Sequence, residues 1–181
     1  MARIGLKYLR YSVLDENDAV TTVDTFGKAV DCKVSINKNS TKLYADDGLA
    51  ESDNSFKDGA IALTIDDDDD TVFAKVLGHK IGTDGEMVRN ANDEAPYVAI
   101  GRILTKMVSG VRKYKVEYLH KVKFGEPNTD EKTKGESIEF GTPAIEGTIH
   151  QLANGDWSKT KTFTEYNEAS AYLDGLLTAK A

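Results

Sequence analysis

The chain has 181 residues, with 30 acidic against 23 basic and a formal net charge of -7. That balance argues against a phosphate-backbone binder, whose affinity rests on clustered Lys and Arg. Its length suits a single domain, residues 1–181, able to bury roughly 70% of its unfolded surface without staples. The single cysteine, Cys32, excludes an intrachain disulfide. No apolar run approaches the ~18 residues of a membrane span. The N-terminal segment MARIGLKYLRYSVLDEND lacks the uninterrupted apolar core of a signal peptide, and Ala2 stands where N-myristoylation needs Gly.

In chain order, residues 5–14 (GLKYLRYSVL) are expected to form a first strand. Over 29–37, Val30, Cys32, Val34 and Ile36 alternate with Asp31, Lys33 and Ser35. That period of two puts one face in the core and one in water. Cys32 then points inward as a small core residue. Leu43–Ala45 is a short strand candidate before an Asp47-Gly48 turn. The following LAESDNSFKDGA is read as a polar, turn-rich loop carrying two apolar anchors, Leu49 and Phe56.

Residues 60–66 alternate again, with Ile61, Leu63 and Ile65 on one side. Five aspartates, Asp66 to Asp70, lead into TVFAKVLG, where Val72, Phe73, Val76 and Leu77 share one helical face. Acids before a helix cap its free N–H groups, and Gly78 is a natural stop. Glu86–Val88 is a weak strand. Pro96 precedes YVAIGRILTKM, a strong strand interrupted at Gly101 by a bulge or a close approach. Ser109-Gly110 turns the chain into 111–124, where Tyr114, Val116 and Tyr118 alternate with Lys113, Lys115 and Glu117. These charges are read as a solvated outer face. Residues 125–135 are polar loop, and strands follow at 137–140 and 144–152. Asn154-Gly155 is the strongest hairpin signal and leads to WSKTKTF. Thr164 is expected to cap a last helix striped by Tyr166, Ala169, Leu173, Leu176 and Leu177. The order implies a mainly β fold, an antiparallel sandwich or barrel with a flanking α-helix and a C-terminal helix.

Catalytic and metal-binding patterns fail on spacing. An EF-hand loop opening at Asp66 needs Gly at its sixth position and Glu at its twelfth, and the chain has Thr71 and Leu77 there. His79, His120 and His150 fall in no ligand motif. No GxSxG or phosphate cradle occurs, and nothing singles out a carboxylate pair for glycoside hydrolysis. The reading is a non-enzyme without cofactor or metal. Lys113, Lys115, Lys121 and Lys123, with Lys132 and Lys134 beyond, faintly suggest a nucleic-acid groove that the acidic balance opposes. Trp157 with the tyrosines offers the alternative of a β-sandwich module binding carbohydrate on a cell surface.

Five segments in order, GLKYLRYSV, LYADDGLAESD, TVFAKVLGHK, PYVAIG and TKGESIEFGTPAIEGTI, resemble the phi13-type major tail proteins of long-tailed phages, the tail tube proteins. The resemblance runs from about Gly5 to Ile149. It implies a tail tube fold, without the immunoglobulin-like domain that some relatives append. It also implies homohexameric rings stacked into a tube that delivers genomic DNA without binding it specifically. Tape-measure, tail-tip and terminator proteins are the implied partners. The implied location is the virion tail, after assembly in the host bacterial cytoplasm. On that reading the 38–58 loop, anchored by Tyr44, Leu49 and Phe56, is the candidate ring-to-ring contact.

Overall fold

The computed structural model describes residues 2–45, 48–127 and 142–178, with backbone alone for residues 2, 41, 43–45 and 48–51. Its strands are β1 (Ala2–Leu14), β2 (Val20–Thr25), β3 (Ala29–Lys38), β4 (Thr41–Ala45), β5 (Gly48–Asp53) and β6 (Phe56–Ile65). The short helix α1 (Asp70–Leu77) comes next. It is followed by β7 (Lys80–Ile81), β8 (Met87–Val88), β9 (Tyr97–Val108), β10 (Val111–Phe124), β11 (Ala144–His150), β12 (Ser158–Phe163) and α2 (Tyr166–Leu177). The main sheet among the described residues runs β2-β1-β9-β10-β11-β6-β3, and β12 lies on β10. Every pairing in it is antiparallel. The sheet curls until β3 comes back beside β1, where the Phe26 amide donates to the Leu9 carbonyl. The fold is thus a mainly β sandwich, close to a barrel, with two helices among the described residues.

Alternation feeds two cores from one sheet. Leu9, Tyr11, Ile61, Leu63, Ile65, Val98, Ile100, Leu119, Val122, Ile145 and Ile149 fill the interior. Helix α1 joins that core through Phe73, Val76 and Leu77, where β6 ends and β9 begins. On the outside of β9 and β10, Ala99, Ile103, Val116 and Tyr118 pack under Ala169, Leu173 and Leu177 of α2. Gly101 is the close approach expected from its place in the strand: a Cβ there would lie 2.2 Å from Leu173 Cδ1. Opposite it, β1 carries a bulge between Lys7 and Arg10, with Tyr8 at φ 59°. The extra residue re-aims Tyr8 onto α2, where its hydroxyl donates to Asp174 Oδ2 at 2.7 Å.

The aspartate run acts as a cap. Asp69 Oδ1 accepts from the Thr71 amide at 2.8 Å, and Asp66 Oδ1 accepts from the Lys28 amide at 2.8 Å. Gly78 ends α1 in the left-handed region at φ 81°. Ser109 and Gly110, both with positive φ, make the tight β9–β10 turn.

Several expectations are corrected. Val30 is 57% exposed rather than inward, because a register shift between Ala29 and Asp31 moves it to the other side of β3. The 38–58 loop is instead a hairpin, β4–β5, continuing out of β3 and β6. Asn39 and Ser55 bond across its base through backbone and side chains. The Asn154-Gly155 turn forms, but β11 and β12 do not pair with each other. They follow one another along β10, β11 on Lys121–Phe124 and β12 on Tyr114–Leu119. Thr164 is not the helix cap: Glu165 holds that place, without a side-chain cap bond. Lys115 and Glu117 turn toward the interior rather than outward, with side chains only 20% and 15% exposed. The strand expected at 137–140, with Lys132 and Lys134, lies outside the described residues.

The Gly78 position yields a test. A Cβ there would sit 2.2 Å from the Glu94 carbonyl oxygen, on a backbone that L side chains rarely adopt. Gly78→Ala should destabilise the fold by about 2–3 kcal/mol in urea unfolding, whereas Gly155→Ala, with open space around it, should lose only its φ term.

Candidate functional site

The three sequence-derived contact residues fall on two elements. Tyr44 and Leu49 face each other in register across the β4–β5 hairpin, and their side chains lie outside the described residues. Phe56 opens β6 and is half-buried. Its ring stacks on Trp157 with centroids 5.2 Å apart and planes 10° from parallel. One face of the indole is therefore occupied within the fold. The structure brings Phe56 to Trp157 but not into the hairpin with the other two.

The lysines that suggested a nucleic-acid groove are largely spoken for. Lys115 donates to Glu117 at 2.6 Å, Lys123 to Glu94 at 3.2 Å, and Lys121 pairs with Asp18. Each partner carboxylate cancels the field a phosphate would need. The histidines stay apart, and among the described residues no group of three or more metal-ligating side chains converges. Nor is any described helix long and apolar enough to cross a membrane.

Two charged clusters were not legible as sites. In the first, the His79 side chain is buried directly after the Gly78 stop. Its Nδ1 bonds Asp93 Oδ2 at 2.8 Å, with the Glu126 carboxylate beside Nε2. The His79 bond, then the Asn90 amide, hold the Asp93 carboxyl below the ordinary range. This ties the end of α1 to the loop ahead of β9 and to the exit of β10.

In the second cluster, Arg102 of β9 points into the interior and is 9% exposed. It donates through Nη2 to Glu117 Oε2 at 2.7 Å and through Nη1 to Cys32 Sγ. Lys115 takes the other oxygen of Glu117. Burial alone would push the Glu117 carboxyl up, but the Lys115 bond and the Arg102 charge outweigh it, so it sits below its usual value. Burial raises the Cys32 thiol despite the neighbouring Arg102, which suits the packing role expected of it and not a reactive thiolate. The signal for this cluster was present in the sequence: Arg102 interrupts an apolar strand, and it pairs in register with Glu117. What hid it was the assumption that charges on β10 face water.

No protein-family model matches the chain, and no curated protein matches it.

The remaining histidines generate a pH prediction. Burial, then nearby Lys159, depresses His120; burial, then Lys121 and Lys123, depresses His150. The folded state therefore favours both neutral rings. Their contribution is complete above the unfolded value of 6.5 and is lost as pH falls through the lower folded values. His120 also packs edge-on against Tyr118 at 4.9 Å. The thermal midpoint should fall on mild acidification below that value, and His120→Phe should flatten part of the decline in a pH series of melts.

Proposed function

We propose that this chain is the subunit of a phage-type tail tube: a virion structural protein that closes into rings, stacks into a tube and passes DNA without binding it. The observation that carries the reading is a pair of free strand edges on one layer. Among the described residues, β2 has only β1 as neighbour and β12 only β10, at opposite sides of the run covered by α2. Unpaired edges are templates for pairing with another chain. An edge of one copy meeting a different edge of the next is a heterologous contact, which closes rings when the rotation allows. Charge also differs between β12 and the turn that leads into β2. β12 exposes Lys159 and Lys161, while the β1–β2 turn exposes Asp15 and Glu16. Further support comes from the five ordered sequence segments: GLKYLRYSV is in β1, LYADDGLAESD spans the β4–β5 hairpin, and PYVAIG enters β9.

On this reading the β4–β5 hairpin reaches the neighbouring ring, and Tyr44 and Leu49 belong to that contact. Phe56 acts at its base, holding the exit of the hairpin against Trp157. The net charge of -7 repels DNA in the channel. Tape-measure, tail-tip and terminator proteins are the proposed partners, and the tail of the virion the proposed location.

Negative-stain microscopy of the purified chain should show concentration-dependent rings or rods. Lys159→Glu with Lys161→Glu should abolish them while circular dichroism still shows a folded β protein. A chain that stays monomeric at every soluble concentration, or a double variant forming rods of normal length and yield, would count against the reading. Replacing residues 41–53 with a short Asn-Gly turn should leave the melt close to that of the parent while rings no longer stack. Undiminished rod length in micrographs of that variant would remove the hairpin from the axial contact.

A further inference from the structure

The end of the interior away from α1 is built differently from the rest. The apolar column of Val98, Ile100, Leu119 and Ile61 gives way to Arg102, Glu117 and Lys115, and a cavity of about 290 Å³ opens onto them. Arg3 of β1 and the hydroxyl-bearing Ser158 of β12 also line it, with Val34 and Trp157 as apolar wall. Glu117 is the one carboxylate in this lining, and both of its oxygens are already engaged, one by Arg102 and one by Lys115. Three cations against one anion leave the cavity with two positive charges in excess. Arg102 is some nine-tenths buried, yet its Nε has no hydrogen-bond partner among the described residues. A buried donor without an acceptor costs free energy, and charge-assisted bonds to an oxyanion are the stronger kind.

We propose that this barrel mouth binds a small monocarboxylate with a short aliphatic body. The carboxylate would meet the surplus charge of Arg3, Lys115 and Arg102, with the Ser158 hydroxyl as a further donor. The aliphatic body lies against Val34 and the Trp157 ring. Mouths of β-barrels are common ligand sites, with mostly apolar walls and a few convergent polar groups. Its lining comes from a single copy of the chain, so binding by the unassembled chain tests it separately from the tail-tube reading.

Trp157 is the only tryptophan, so its emission reports on the cavity directly. Hexanoate added to the full chain should change that emission saturably, and should shift the Arg102 Nε–H resonance in a 15N spectrum. Lys115→Met and Arg3→Ala should each weaken binding about tenfold, with circular dichroism unchanged. Arg3 is exposed, so its variant tests the site even if Lys115→Met fails to fold. A response to hexanoate that does not saturate, or equals that of sodium chloride, overturns the proposal. So does full affinity in Arg3→Ala. Sulfate binding as tightly as hexanoate would show that the apolar wall plays no part, and would overturn the monocarboxylate assignment.

Discussion

Strand β9 has to satisfy two cores at once. Val98 and Ile100 look into the interior while Ala99 and Ile103 look toward α2, and all four are essentially dry. A strand buried on both faces cannot slip by one residue without exchanging its two sets of contacts. That constraint propagates outward. Gly101 must stay bare so that Leu173 can seat, and β1 must bulge so that Tyr8 can reach Asp174. β10, in register with β9 over most of its length, inherits the same two-sided burial.

The two-sided strand also explains the buried charges. Once Ile100 points inward, period two sends Arg102 inward as well, where it is 9% exposed. A lone guanidinium there would be costly, and Glu117 stands directly across in register to receive it. Lys115, two residues along, completes the carboxylate's bonding. Removing Glu117 would leave Arg102 and Lys115 enclosed without their carboxylate, the costly case for interior ion pairs. The cluster is thus held by the same register that holds the apolar core. The surplus positive charge is what remains after that internal pairing.

The periphery obeys a different rule. Among the described residues, β2 and β12 carry few apolar side chains and each pairs with one strand only, while the β4–β5 hairpin forms a two-stranded sheet of its own. They add little to the interior and present backbone to the outside. On the proposed reading, these open margins are where further copies would pair.

Much of the fold was legible in local pattern. The alternation of Ile61, Leu63 and Ile65, the helix behind the aspartates, the Gly78 stop and the stripe of α2 each depend on neighbours within a few residues. Period and capping chemistry are enough to read them. Val30, the hairpin at 41–53, the inward turn of Lys115 and Glu117, and the placing of β12 on β10 were not legible. Each depends on a register shift or on a partner strand far away in sequence. Phe56 reads as a loop anchor until Trp157, a hundred residues later, arrives beside it. The sequence by itself determined the long strands and both described helices, whose period and capping are local, and that no recognised catalytic or metal motif occurs. Tertiary structure decided which charges are enclosed and which strand edges stay free, because burial and pairing are properties of two or more elements meeting and no single segment contains them.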